Sequence, residues 1–170
     1  MKQNRGMFIG SMEAGKSTLA QALLGYEPKA LKTQALTYKD WIVDTPGEYT
    51  ENPMFYKNIM ATSLEVTHVL FVQDATKKKV FFPPNFSTGL NKLPIGVVTK
   101  ADHEEADIST AANRLRKTIP KGPIVITSAV KGTGLKAIKD LVACNSMKEM
   151  EDYVESQEGD DTIFMKSFTN

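Results

Sequence analysis

Cysteine is almost missing from this chain of 170 residues: Cys144 stands alone, which excludes an internal disulfide and fits a reducing, cytoplasmic setting. Only two histidines, His68 and His103, accompany it, too few donors for an ordinary zinc site. Both read as structural or solvated side chains, and Cys144 as a helix-packing thiol. No apolar run is long enough to cross a bilayer, so no membrane association is expected. Met1 to Arg5 lead straight into an apolar run, leaving no room for a signal peptide. There is no internal repeat and no low-complexity tract. Charge of one sign is not in excess either: the formal total of +1 gives no support to nucleic-acid binding. That total hides an asymmetry. From Asn145 onward Glu149, Glu151, Asp152, Glu155, Glu158, Asp160 and Asp161 face only Lys148 and Lys166, a net −5 that leaves +6 for the rest. Residues 146–170 therefore read as a separate acidic extension to a domain spanning 1–145.

What the chain does have is Gly10-Ser-Met-Glu-Ala-Gly15-Lys16-Ser17, the spacing of a phosphate-binding P-loop. Gly10 and Gly15 let the backbone curl so that successive N–H groups face phosphate oxygens. Lys16 reaches the β- and γ-phosphates, and Ser17 offers a hydroxyl to Mg²⁺. Ser11, Met12, Glu13, Ala14 and Thr18 complete the cradle and its exit. The context fits: apolar Met7-Phe8-Ile9 precedes the loop, and Leu19, Leu23 and Leu24 follow at helical spacing.

Apolar runs alternate with helical patterns along the whole chain, which implies a mostly parallel sheet covered by helices. Strands are expected at Gly6–Ile9, Trp41–Val43, Val69–Gln73, Ile95–Thr99 and Ile124–Thr127. An edge strand near Gln34–Tyr38 would pair antiparallel with Trp41–Asp44 through a Lys39-Asp40 turn. Helices are expected at Lys16–Leu24, Glu51–Glu65, Pro84–Asn91, Ser109–Ile119 and Leu135–Met147. Met147, Met150, Tyr153 and Val154 would extend the last one. The unusual polar residues fall at the C-terminal strand ends, the edge at which open α/β sheets bind ligands.

Two of those ends carry further chemistry. Asp44-Thr-Pro-Gly47 follows a buried strand; Asp44 can hold Mg²⁺ and Gly47 can bring its N–H to a γ-phosphate, a sensor of the triphosphate state. Thr99-Lys100-Ala101-Asp102 follows another. Guanine presents adjacent N1–H and N2–H₂ donors that one carboxylate matches, and adenine lacks both, so a buried Asp102 selects guanine. Lys100 would lie along the base and brace the P-loop, and Ser128-Ala129 would supply an N–H to the guanine O6. A Lys77-Lys-Lys79 run reads as a solvated turn.

In this order the motifs resemble a small GTPase domain of the translation-factor-related class: an α/β, Ras-like P-loop NTPase. More narrowly, Lys32-Thr-Gln-Ala35, Asp44-Thr-Pro-Gly-Glu-Tyr49 and Ile95-Gly-Val-Val-Thr-Lys-Ala-Asp102 resemble the EutP/PduV family of ethanolamine- and propanediol-utilisation proteins, over roughly residues 6 to 144. The resemblance implies a protein that binds GTP or GDP with Mg²⁺ and is associated with bacterial microcompartments; some members are also described as acetate kinases.

Three departures qualify it. The segment between Ser17 and Asp44 is short, so the second Mg²⁺ ligand is Thr33 or, next, Thr37. Glu48 stands where many GTPases place a water-orienting Gln, and its carboxylate would either polarise water or repel the γ-phosphate; slow hydrolysis is expected. Glu13 lies where related potassium-activated GTPases place an Asn, and its charge must turn outward or meet a cation. Slow GTP hydrolysis, phosphoryl transfer to acetate and a non-catalytic scaffold are thus three distinct expectations. For the last, Ile163-Phe-Met165 and Phe168 would dock a microcompartment shell or another protein.

Overall fold

In the computed structural model the described residues are 3–25, 36–79, 82–157, 159–160 and 162–166. They form seven strands and six α-helices: β1 Gly6–Ile9, α1 Lys16–Leu23, β2 Thr37–Lys39, β3 Ile42–Asp44, α2 Glu48–Glu51, α3 Tyr56–Ser63, β4 His68–Asp74, β5 Leu93–Thr99, α4 Ile108–Thr118, β6 Gly122–Ile126, α5 Leu135–Val142, α6 Met147–Ser156 and β7 Ile163–Lys166. The strands make one sheet in the order β2-β3-β1-β4-β5-β6-β7. β3, β1, β4, β5 and β6 run parallel, while β2 and β7 close the two edges antiparallel.

Strand alternation sorts the apolar residues onto two faces. Phe8, Leu70, Val72 and Val97 pack with Leu19 and Leu23 of α1, Ile138 and Leu141 of α5, and Met150 of α6. Met7, Ile9, Val69, Phe71 and Val98 pack with Ile59 of α3 and with Ala111 and Leu115 of α4. The parallel strands, buried on both faces, are therefore near-continuous apolar runs.

Several expected elements are divided or moved, each for a local reason. The helix expected over Glu51–Glu65 is split into α2, a 3₁₀ turn at Pro53–Phe55, and α3. Pro53 donates no N–H and forces Asn52 into extended conformation, while the Asn52 side chain accepts from the Met54 N–H. Pro84–Asn91 holds only a 3₁₀ turn, Phe86–Gly89. The antiparallel edge strand forms as expected at Tyr38, but the turn is Asp40-Trp41 with Asp40 left-handed at φ 53°. Gln34 and Ala35 lie outside the described residues.

The helix expected over Leu135–Met147 stops at Val142, and a new one starts after Ser146. Ser146 Oγ accepts from the Glu149 N–H at 3.1 Å while Glu149 Oε2 accepts from the Asn145 N–H at 3.1 Å, a reciprocal cap that restarts the helix. The acidic stretch does not stand apart from the rest: Met150 is fully buried, and Ile163, on the unexpected strand β7, joins the same core. Phe164 remains exposed, and Phe168 lies outside the described residues.

Candidate nucleotide site

The P-loop joins β1 to α1 at the C-terminal edge of the sheet. Gly15 precedes the helix at φ 92°, a conformation that disfavours any side chain. Lys16 is buried, and its ammonium donates to the carbonyls of Gly10 and Ser11, each at 2.9 Å, so the loop is folded around its own lysine. Burial lowers the Lys16 pKa to about 8, against the upward pull of Asp44 and Glu51. Ala14 is buried, Ser11 nearly so, and Thr18 half-buried on α1; Met12 and Glu13 are exposed. Glu13 adopts φ 65°, and its side chain faces outward from the rim.

Ser17 Oγ donates to Asp44 Oδ2 at 2.7 Å, bringing a hydroxyl and a buried carboxylate together beside the loop. This all-oxygen pair suits Mg²⁺, which is commonly held by one or two protein oxygens while water and phosphate supply the rest. It is not a cage: no group of three or more His, Cys, Asp or Glu suited to a metal occurs among the described residues. Thr33 lies outside the described residues, and of Thr37 only its place on β2 is described.

Gly47 sits against the loop so closely that a Cβ would fall 2.4 Å from the Met12 nitrogen. Its φ of −58° is ordinary; the close approach is what requires glycine. Glu48 begins α2 and is exposed. The α2 acid whose field reaches Lys16 is Glu51, a residue that carries no motif.

The third segment ties base-side residues to the loop. Thr99 Oγ1 donates to the Ala14 carbonyl at 2.6 Å. Lys100 Nζ donates to the Glu13 carbonyl at 2.9 Å and to Asp74 Oδ2 at 2.8 Å. Asp102 accepts from Ser128 Oγ at 2.8 Å, a bond that lowers its carboxyl pKa. Asp102 is exposed rather than buried, so any selection of guanine depends on the base itself closing the contact. Ser128 is buried, and Ala129 beside it is half-buried. Asp74, the last residue of β4, escapes sequence reasoning because a single acid after an apolar run has no fixed-spacing partner. Burial pushes its carboxyl pKa up, but hydrogen bonds from Lys100 and Thr76 outweigh that and the net shift is downward.

Comparison with solved structures gives the same fold. A bacterial selenocysteine-specific elongation factor EF-Sec matches with a TM-score of 0.57 at 23% identity, over 92% of this chain and 29% of that one. A point variant of Era from Aquifex aeolicus, bound to GDP·AlF4⁻, matches with a TM-score of 0.60 at 23% identity, over 86% and 58%. The chain thus spans less than two thirds of either protein. Among curated relatives, the "Probable acetate kinase EutP" of Salmonella typhimurium is 32% identical over 146 residues, 85% of this chain and 92% of that protein. The "Propanediol utilization protein PduV" of Citrobacter freundii is 32% identical over 131 residues, 77% and 87%. The model of the PduV-EutP family, "Ethanolamine utilisation - propanediol utilisation", matches residues 3–144, ending before α6. By the extent of that match and the identity of these relatives, the chain belongs to the PduV-EutP family.

Proposed function

We propose that this protein binds GTP and GDP with Mg²⁺ and hydrolyses GTP slowly to GDP and phosphate, in the service of ethanolamine or propanediol utilisation. The observation that carries the reading is the convergence of three segments on one sheet edge. The loop around Lys16, the Ser17–Asp44 pair and the Lys100–Asp102–Ser128 group are tied together by direct hydrogen bonds.

In this reading Lys16 exchanges its two loop carbonyls for β- and γ-phosphate oxygens, while the loop N–H groups of residues 11–18 hold the chain of phosphates. Ser17 and Asp44 hold Mg²⁺, which when bound neutralises charge on the β- and γ-phosphate oxygens. Gly47 offers its N–H to the γ-phosphate, and any displacement from Met12 is passed to α2. Glu48, at the start of that helix, orients the attacking water. A second carboxylate charge beside phosphate opposes the reaction, which supports slow turnover. Association with a microcompartment belongs to the same reading, with the exposed Phe164 on β7 as part of a surface for a shell or other protein.

Phosphoryl transfer to acetate is the reading suggested by the printed names of relatives. The carboxylate at Asp102, held by Ser128, favours guanine instead. Titration calorimetry of the full chain with Mg²⁺ separates them. GTP and GDP should bind at least about tenfold more tightly than ATP, a modest threshold for a hydrogen-bonding site that meets an analogue lacking its donors. Equal affinity for ATP, together with acetyl phosphate formed from ATP and acetate, would overturn the GTPase reading.

A further inference from the structure

Asp74 is 1% exposed, yet it is a carboxylate with both oxygens engaged. Its Oδ1 accepts from the backbone N–H of Thr76 at 2.8 Å and from Thr76 Oγ1 at 2.6 Å. Its Oδ2 accepts from Lys100 Nζ at 2.8 Å. Lys100 in turn has a 39% exposed side chain on a long flexible stem, which left alone would sample many rotamers. Here its ammonium is fixed between Asp74 and the Glu13 carbonyl.

Both ends of that link are unusual. Lys100 at φ 60° and Glu13 at φ 65° are non-glycine residues in the left-handed region, which persists only where surrounding contacts hold it. The link from Asp74 through Lys100 to Glu13 is such a contact. It also joins β4, the strand after which no nucleotide motif lies, to the two strands that carry the phosphate and base segments.

We propose that Asp74 is a positioning residue for the nucleotide site: its buried carboxylate pre-sets Lys100 over the P-loop, so that loop and base-side segment are assembled before a ligand arrives. The inference rests on the nucleotide reading above. Ordering the loop in advance lowers the entropy cost of binding and so raises affinity for di- and triphosphates alike.

Asp74→Asn keeps the size and can still accept from Thr76, but removes the charge that holds Lys100. With the full chain, Mg²⁺ and fluorescent N-methylanthraniloyl-GDP, the variant should lose on the order of tenfold in affinity, the scale of a hydrogen bond to a charged group. In a Lys100→Met background the same substitution should cost less than about twofold, because the group through which it acts is gone. Wild-type affinity in Asp74→Asn, or an equal loss in both backgrounds, overturns the proposal. A wild-type chain that binds no guanine nucleotide would instead overturn the nucleotide reading. Amide hydrogen exchange at Ala14 and Gly15 in nucleotide-free protein tests the link without any ligand. It should accelerate in Asp74→Asn and also in Lys100→Met, which cuts the pair from the exposed side should the buried variant not fold; unchanged exchange in Lys100→Met overturns the proposal.

Discussion

His68 opens β4 with no exposed surface. Burial lowers its pKa to about 4; the carbonyls of Cys144 and Leu141 pull upward, but among the described residues none makes a well-aligned hydrogen bond to Nε2. Nδ1 meets Thr67 Oγ1, at 2.8 Å. The ring is therefore neutral in the fold at neutral pH and must charge in acid. Between about pH 6.5 and 4 the unfolded chain binds the proton that the folded chain refuses, so stability falls as pH falls through this window. The full shift corresponds to about 3 kcal/mol. Chemical unfolding of wild type and His68→Gln across this range should show a steeper acid loss in wild type; parallel curves would contradict the assignment. At this scale the sequence is most legible where chemistry demands fixed spacing. Lys16, Ser17 and Asp44 come together, and Lys100 braces the loop. Asp74 and Glu51 are illegible because their roles exist only across strands or helices. Asp102 is exposed where the motif suggests burial, because one-dimensional spacing does not encode depth.

Among elements, the parallel strands and the helices α1 and α4 follow from apolar periodicity. The breaks follow from single residues: Pro53 divides α2 from α3, and the Ser146–Glu149 cap separates α5 from α6. Strand β7 is four residues long and has no pattern of its own; it forms because β6 offers an open edge. The acidic helix α6 is held by one face, with fully buried Met150 as its anchor and Tyr153 hydrogen-bonded to Asp140 of α5 at 2.9 Å. Met150→Ala should therefore cost about 2–5 kcal/mol, as for other large apolar side chains removed from a core. A denaturant midpoint unchanged from wild type would show that α6 is dispensable to the fold. By the same argument, deleting everything after Asn145 removes core as well as charge and should lower stability too.

For the whole molecule, the sheet concentrates its polar chemistry at one edge and closes both flanks with antiparallel strands. No helix among the described residues is long and apolar enough to cross a membrane. In the proposed function the base held at this edge is guanine, and Asp102 is the residue proposed to select it. Asp102→Asn tests it most directly. Xanthine replaces the guanine N2–H₂ donor with a carbonyl acceptor; an amide can accept from N1–H and donate to that carbonyl, which a carboxylate cannot. The measurement is the affinity of wild type and Asp102→Asn for GTP and for xanthosine triphosphate, with Mg²⁺. Wild type should prefer GTP, and the variant should reverse the order. A variant whose preference between the two is unchanged would contradict guanine readout by Asp102.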